Sequence, residues 1–197
     1  MNLLAHAYLS FNNPEVLVGN MVSDYVKGKK KFDYPTGIQN GIHLHRLIDQ
    51  FTDAHVMTKR AKKIFSPHYG LYSGAFVDIC YDHFLAIDAN EFTVTDLPTF
   101  TKQSYAQIEK YLEWLPPKFG MMFPYMKRDD WLFNYQYTWG IEKSFGGLVR
   151  RAAYMHEHET AFRLFEANFD ELQICYSNFF FELKIFSKNH FLLLTET

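Results

Sequence analysis

The stretch Ala75-Phe76-Val77-Asp78-Ile79-Cys80-Tyr81-Asp82-His83-Phe84-Leu85 places Phe76, Ile79, Cys80 and Phe84 at steps of three and four. That spacing predicts a helix, here over about Tyr69–Ile87, with those four side chains buried. Asp78 and Asp82 stand four apart within it, in a segment too apolar to be a surface. On a helix a step of four returns to the same face about 6 Å further along. Uncompensated charge in such surroundings is costly, so the pair needs a cation or hydrogen-bonding partners.

Outward from this helix the periodicity stays helical. Leu3, Leu4, Ala7 and Tyr8 share one face of a first helix. A second opens near Pro14, a residue suited to a first turn, and is expected to run to Gly28. A polar loop follows over Lys29–Thr36. A third helix spans about Gly37 to Phe65, with a candidate break near His55 and a stop at Ser66-Pro67. Asp96-Leu97-Pro98 reads as the entry to another helix, ending at Pro116-Pro117. Phe123–Gly146 forms a further region, and Arg150–Ser187 reads as one long final helix. The only strand candidate is Glu91–Thr95. Without repeats or a linker, residues 1–197 read as a single all-α domain, a helical bundle.

Composition narrows the function. The 197 residues are 48% hydrophobic and 18% aromatic, which excludes intrinsic disorder. With 20 Lys+Arg against 22 Asp+Glu there is no basic excess to suggest nucleic acid as a partner. Charge-free stretches such as Met1–Pro14 and Ile64–Val77 fall short of the roughly 18 residues that span a bilayer. The first Lys or Arg is Lys27, so the start lacks the charged region of a secretory signal. Two cysteines in apolar surroundings, Cys80 and Cys175, fit a reducing compartment. Together these features lead to the expectation of a cytoplasmic protein with no membrane partner.

Three helices carry polar stripes at helical spacing: Asn20 and Asp24; His45, Asp49 and Asp53; Asp78 and Asp82, with His83 next. Carboxylates and imidazoles projecting inward from several helices are how bundles hold Mn, Fe, Mg or Zn. Exposed carboxylates on helices are common, and salt bridges to Arg46 are the competing account of the acidic pairs. His45, Asp49, Thr52 and Asp53 lie within about 100° of arc, while His43 points to the other side. His6 reads equally as a ligand and as a satisfied core histidine. His156, His158 and His190 read as surface.

Four blocks also carry a family resemblance: Met1-Asn2-Leu3-Leu4-Ala5-His6; Val18-Gly19-Asn20-Met21-Val22-Ser23-Asp24-Tyr25-Val26-Lys27-Gly28; Gly41 through Asp53; and Val77 through Ala86. Their order resembles that of the acyl carrier protein phosphodiesterase family. The resemblance implies an all-helical hydrolase related to the histidine–aspartate phosphohydrolases. It implies a reaction removing 4′-phosphopantetheine from holo-acyl carrier protein, with a divalent metal, typically manganese, and Mg2+ or Fe2+ as the other choices. The motif residues it carries over are Asp24, His45, Asp49, Asp53, Asp78, Asp82 and His83 as metal ligands, with Asn20 and His6 near the substrate. The adjacent His-Asp pair usual in the wider superfamily is reversed here, as Asp82-His83.

On that reading, water attacks the phosphodiester phosphorus, and His83 or His45, whichever is not a ligand, protonates the departing serine oxygen. Arg46 either braces the phosphate or orients Asp49. The acidic carrier would meet Lys27, Lys29, Lys30 and Lys31, or Lys59, Arg60, Lys62 and Lys63. Two rivals stand beside it: a metal phosphohydrolase for a nucleotide or small phosphoester, and a non-catalytic module whose aromatic C-terminal half binds the pantetheine arm.

Overall fold

A computed structural model of the chain describes residues 1–93 and 96–196, and all regular structure among them is helical. The α-helices are α1 (Leu3–Tyr8), α2 (Pro14–Val22), α3 (Thr36–Ala54), α4 (Val56–Tyr69), α5 (Ser73–Ile87), α6 (Asp96–Ile108), α7 (Pro117–Arg128), α8 (Trp131–Asn134), α9 (Thr138–Arg151), α10 (Glu159–Ala167) and α11 (Phe169–Thr195). None of the described helices is long and apolar enough to cross a membrane.

α5 is the central element. Phe76, Val77, Cys80, Tyr81, Phe84 and Leu85 are all at most 1% exposed, so the helix is enclosed by α1, α4, α9 and α11. Its rings join a wider aromatic core, with Phe76 5.0 Å from Phe145 and Tyr81 stacked 5.0 Å from Phe179. α2 and α3 meet backbone to backbone. A Cβ on Gly41 would lie 2.3 Å from the Val16 carbonyl and 2.8 Å from the Gly19 Cα, so only glycine allows this approach.

The local signals account for most boundaries. Asn13 caps α2, its Oδ1 accepting from the amides of Glu15 and Val16, with Pro14 in the first turn. The helix stops at Val22, earlier than expected, because the chain tightens into 3-10 turns over Ser23–Tyr25 and Gly28–Asp33. The break at His55 is real: its extended backbone ends α3, and its ring Nδ1 accepts from the Met57 amide to start α4. Pro67 lies inside α4 instead of ending it; Gly70, at φ +51°, makes the turn. Pro117 opens α7 and does not close the helix before it.

The expected Arg150–Ser187 helix is three pieces. α9 ends at Arg151, α10 begins at Glu159, and Asn168 ends α10 by donating to the Leu164 carbonyl. Of the strand candidate, Glu91, Phe92 and Thr93 are not strand, and Val94 and Thr95 lie outside the described residues. The C-terminal segment Phe191-Leu192-Leu193-Leu194 is held at two points, Phe191 packing on Phe11 and Asn40 donating to the Leu194 carbonyl at 2.7 Å, while the Leu193 side chain stays exposed.

Candidate metal centre

α1, α2 and α3, with the short turn after α2, bring His6, Asn20, Asp24, His45 and Asp49 together. The close glycine contact between α2 and α3 sets Asn20 and His45 side by side, one residue and one turn further along. His45 Nδ1 lies 2.8 Å from the Asn20 carbonyl, which fixes that nitrogen as the donor. Nε2 is thereby aimed at two carboxylates, 3.1 Å from Asp49 Oδ2 and 3.3 Å from Asp24 Oδ1. A neutral Nε2 lone pair facing two anions is unfavourable, so this position calls for a positive charge, a proton or a metal ion. Burial opposes protonation, yet the two carboxylates outweigh it and raise His45 to a pKa of about 9.

His6 stacks on His45 with ring centroids 3.8 Å apart. Burial, with the neighbouring His45 charge, pushes His6 down to about 4, so it is neutral at pH 7. Its Nε2 lies 3.2 Å from Asp49 Oδ1 but is not aligned for a hydrogen bond, and both ring nitrogens are buried without a hydrogen-bond partner. His6, His45 and Asp49 offer ligand atoms within 4.8 Å of one another. Burial pushes Asp49 up, but the protonated His45 and the Met1 ammonium hold it well below the usual carboxylate range. Asn20 donates to Ser10 Oγ at 2.9 Å, leaving its Oδ1 buried and unpartnered. A neutral buried imidazole, an orphaned amide oxygen and two carboxylates form a donor set that fits a hard to borderline divalent cation.

The other expected ligands are not brought into this cluster. Asp78 lies beside it and pairs with the Met1 ammonium at 3.1 Å, which also reaches Asp49 at 3.3 Å. Asp82 is fully buried, and its oxygens accept from the amides of Leu4 at 2.7 Å and Ala5 at 3.2 Å. Its charge is thus compensated by the start of α1, where the helix carries its positive end. Burial still raises it, to about 7, against the pull of those two amides. His83, about 100° around α5 from Asp82, turns away from the cluster. Its Nδ1 lies 2.6 Å from the Tyr135 carbonyl and its ring packs on Phe84, Phe165 and Phe169. Asp53 turns outward to Lys62, 2.6 Å away. Arg46 reaches neither Asp49 nor the acidic pairs in a salt bridge; it donates to the Val26 carbonyl. Lys27 is exposed, as are Lys29 and Lys30, while Arg60 is engaged by Glu171.

His6, Asn20, Asp24 and His45 line an open cleft of about 730 Å³ that also reaches Trp131, Trp139 and the end of α9. His158, read from sequence as surface, lines this cleft, as do Arg150 and Arg151, which sequence reasoning passed over. The available signal was Gly146-Gly147 followed four residues later by Arg150-Arg151.

An imidazole–carboxylate cluster on an all-helical frame, opening into a cleft, is the arrangement of an enzyme. The acyl carrier protein phosphodiesterase family matches residues 1–183, and the chain belongs to that family. It is 29% identical over 181 residues to the protein of that name from Photorhabdus laumondii, covering 91% of each chain. The namesakes from Enterobacter sp. and Klebsiella pneumoniae are 28% and 29% identical, over 96% of this chain and 98% of theirs. No solved structure matches the chain.

Proposed function

We propose that this enzyme hydrolyses the phosphodiester linking 4′-phosphopantetheine to the serine of holo-acyl carrier protein, in the cytoplasm, with a divalent cation, manganese first, held by His6, His45, Asp49 and Asp24. The observation that carries the cation is His45 Nε2, fixed by the Asn20 carbonyl and aimed between two carboxylates. Family membership supports an acyl carrier protein as the substrate. The kinship with histidine–aspartate phosphohydrolases belongs to the same reading and is supported by the mixed imidazole–carboxylate donor set. Neither rival, small phosphoesterase or non-catalytic module, is favoured by the family match.

A divalent ion in this site would lower the pKa of a water and polarise a phosphoryl oxygen. The chain does the rest. Asp24, 79% exposed at its side chain, stands at the mouth, and His6 and His45 form the closed floor. Asp82 holds the first turn of α1 and so keeps His6 in place. The departing serine oxygen needs a proton, and His83 is not among the residues that line the cleft. His158 is the cleft-lining imidazole outside the cluster and takes that role in this reading.

The test is mass analysis of a holo-carrier after incubation with the enzyme and manganese, with and without chelator. Loss of the phosphopantetheine mass only in the chelator-free sample is the expected result. An unchanged carrier mass with manganese present overturns the proposal.

A further inference from the structure

We propose that Arg150 and Arg151, folded over Gly146 and Gly147 of α9, form an anion subsite in the wall of the cleft, and that it binds the phosphate of 4′-phosphopantetheine. This rests on the function proposed above. A Cβ placed on Gly147 would lie 3.6 Å from Arg151 Nη1 and 3.7 Å from Arg150 Nη2, so both guanidiniums reach one point above a bare stretch of backbone. Arg150 Nη1 and the His158 ring each lie 3.4 Å from the same kind of point above Gly146. Residues four apart share a helix face, and side chains lean toward the N-terminus. The glycines therefore open the surface on which the arginines lie, one turn back from the carbonyls at the end of α9.

Two like charges so close repel each other, and among the described residues neither guanidinium forms a salt bridge with a carboxylate. Arg150 and Arg151 line the same cleft as Tyr25, Tyr135 and the His6–His45 pair, so both charges face the space a ligand would enter. Guanidinium forks match phosphate oxygens, two hydrogen bonds at a time. A phosphate entering this cleft to reach the cluster passes within reach of them, whereas carboxylates on a carrier protein's surface stay at the rim.

The experiment is calorimetric titration of the chelator-treated, full-length protein with 4′-phosphopantetheine, with pantetheine lacking the phosphate, and with apo-carrier. The wild type is expected to bind 4′-phosphopantetheine at least tenfold more tightly than pantetheine. Arg150→Ala with Arg151→Ala should erase that preference and leave apo-carrier affinity unchanged. Gly147→Leu keeps both charges but fills the cradle, and should erase it too. A preference that survives in either variant overturns the subsite, as does a loss that appears in apo-carrier binding instead. A wild type that shows the preference yet leaves holo-carrier intact with manganese upholds the subsite and overturns the proposed reaction.

Discussion

Gly41→Ala tests whether the backbone contact between α2 and α3 builds the site. The added Cβ would lie 2.3 Å from the Val16 carbonyl and 2.8 Å from the Gly19 Cα. Both obstacles are backbone, so the helices must separate by about 1 Å, an overpacking cost of about 1–3 kcal/mol. Alanine recovers about 1 kcal/mol through helix propensity. The net loss, up to about 2 kcal/mol, lowers Tm by up to about 8 °C in a chain of this size. The same displacement stretches the 2.8 Å contact between His45 Nδ1 and the Asn20 carbonyl, so manganese affinity should fall at least tenfold. Gly120→Ala is the control, since its Cβ meets only the Leu115 Cβ at 3.8 Å and should melt no lower than wild type. Thermal melts and manganese titration read both effects. A Gly41→Ala protein that melts with the wild type and binds manganese equally refutes the reasoning.

Asp82→Ala leaves the Leu4 and Ala5 amides buried without acceptors, which should cost about 1–3 kcal/mol in chemical denaturation and lower activity by loosening His6; unchanged stability would show that α1 holds without it. His45, raised to about 9 from 6.5, stabilises the cation-free fold fully below pH 6.5 and loses that contribution as pH rises through 9. Manganese displaces its proton, so calorimetry at pH 7 in buffers of different ionisation enthalpy should show about one proton released per ion, and none if His45 is not a ligand. Charge reversal at Lys29, Lys30 and Lys31 should slow carrier association and flatten its salt dependence in stopped-flow measurements, and identical salt curves would remove these lysines from docking.

The helical frame was legible because apolar spacing in α3 and α5 is regular and because Pro14 and the Asp96 segment are strong start signals. The lost boundaries have local causes. Pro67 and Pro117 each fit either side of a helix end, and Asn168 splits the last helix by a side-chain bond that no periodicity reveals. Within the site, spacing placed His45 and Asp49 on one face of α3 that does meet His6 and Asn20, whereas Asp24 arrives from the 3-10 turn after α2 and not from the helix on which its spacing with Asn20 set it. Spacing gave Asp82 the same weight, because a buried aspartate that needs a cation and one that caps a neighbouring helix look alike in sequence. His83 lies one residue on from Asp82, about 100° around the helix, which turns it to the Tyr135 carbonyl. Arg150 and Arg151 reach the cleft from the last turn of α9 and His158 from the segment before α10, a tertiary fact beyond helical spacing.

Manganese titration monitored by electron paramagnetic resonance, across His6→Ala, His45→Ala, His83→Ala and Asp53→Ala proteins, tests the centre most directly. The account predicts that ion binding is lost in the first two and kept in the last two. Retention without His6 and His45, or loss without His83, would contradict it.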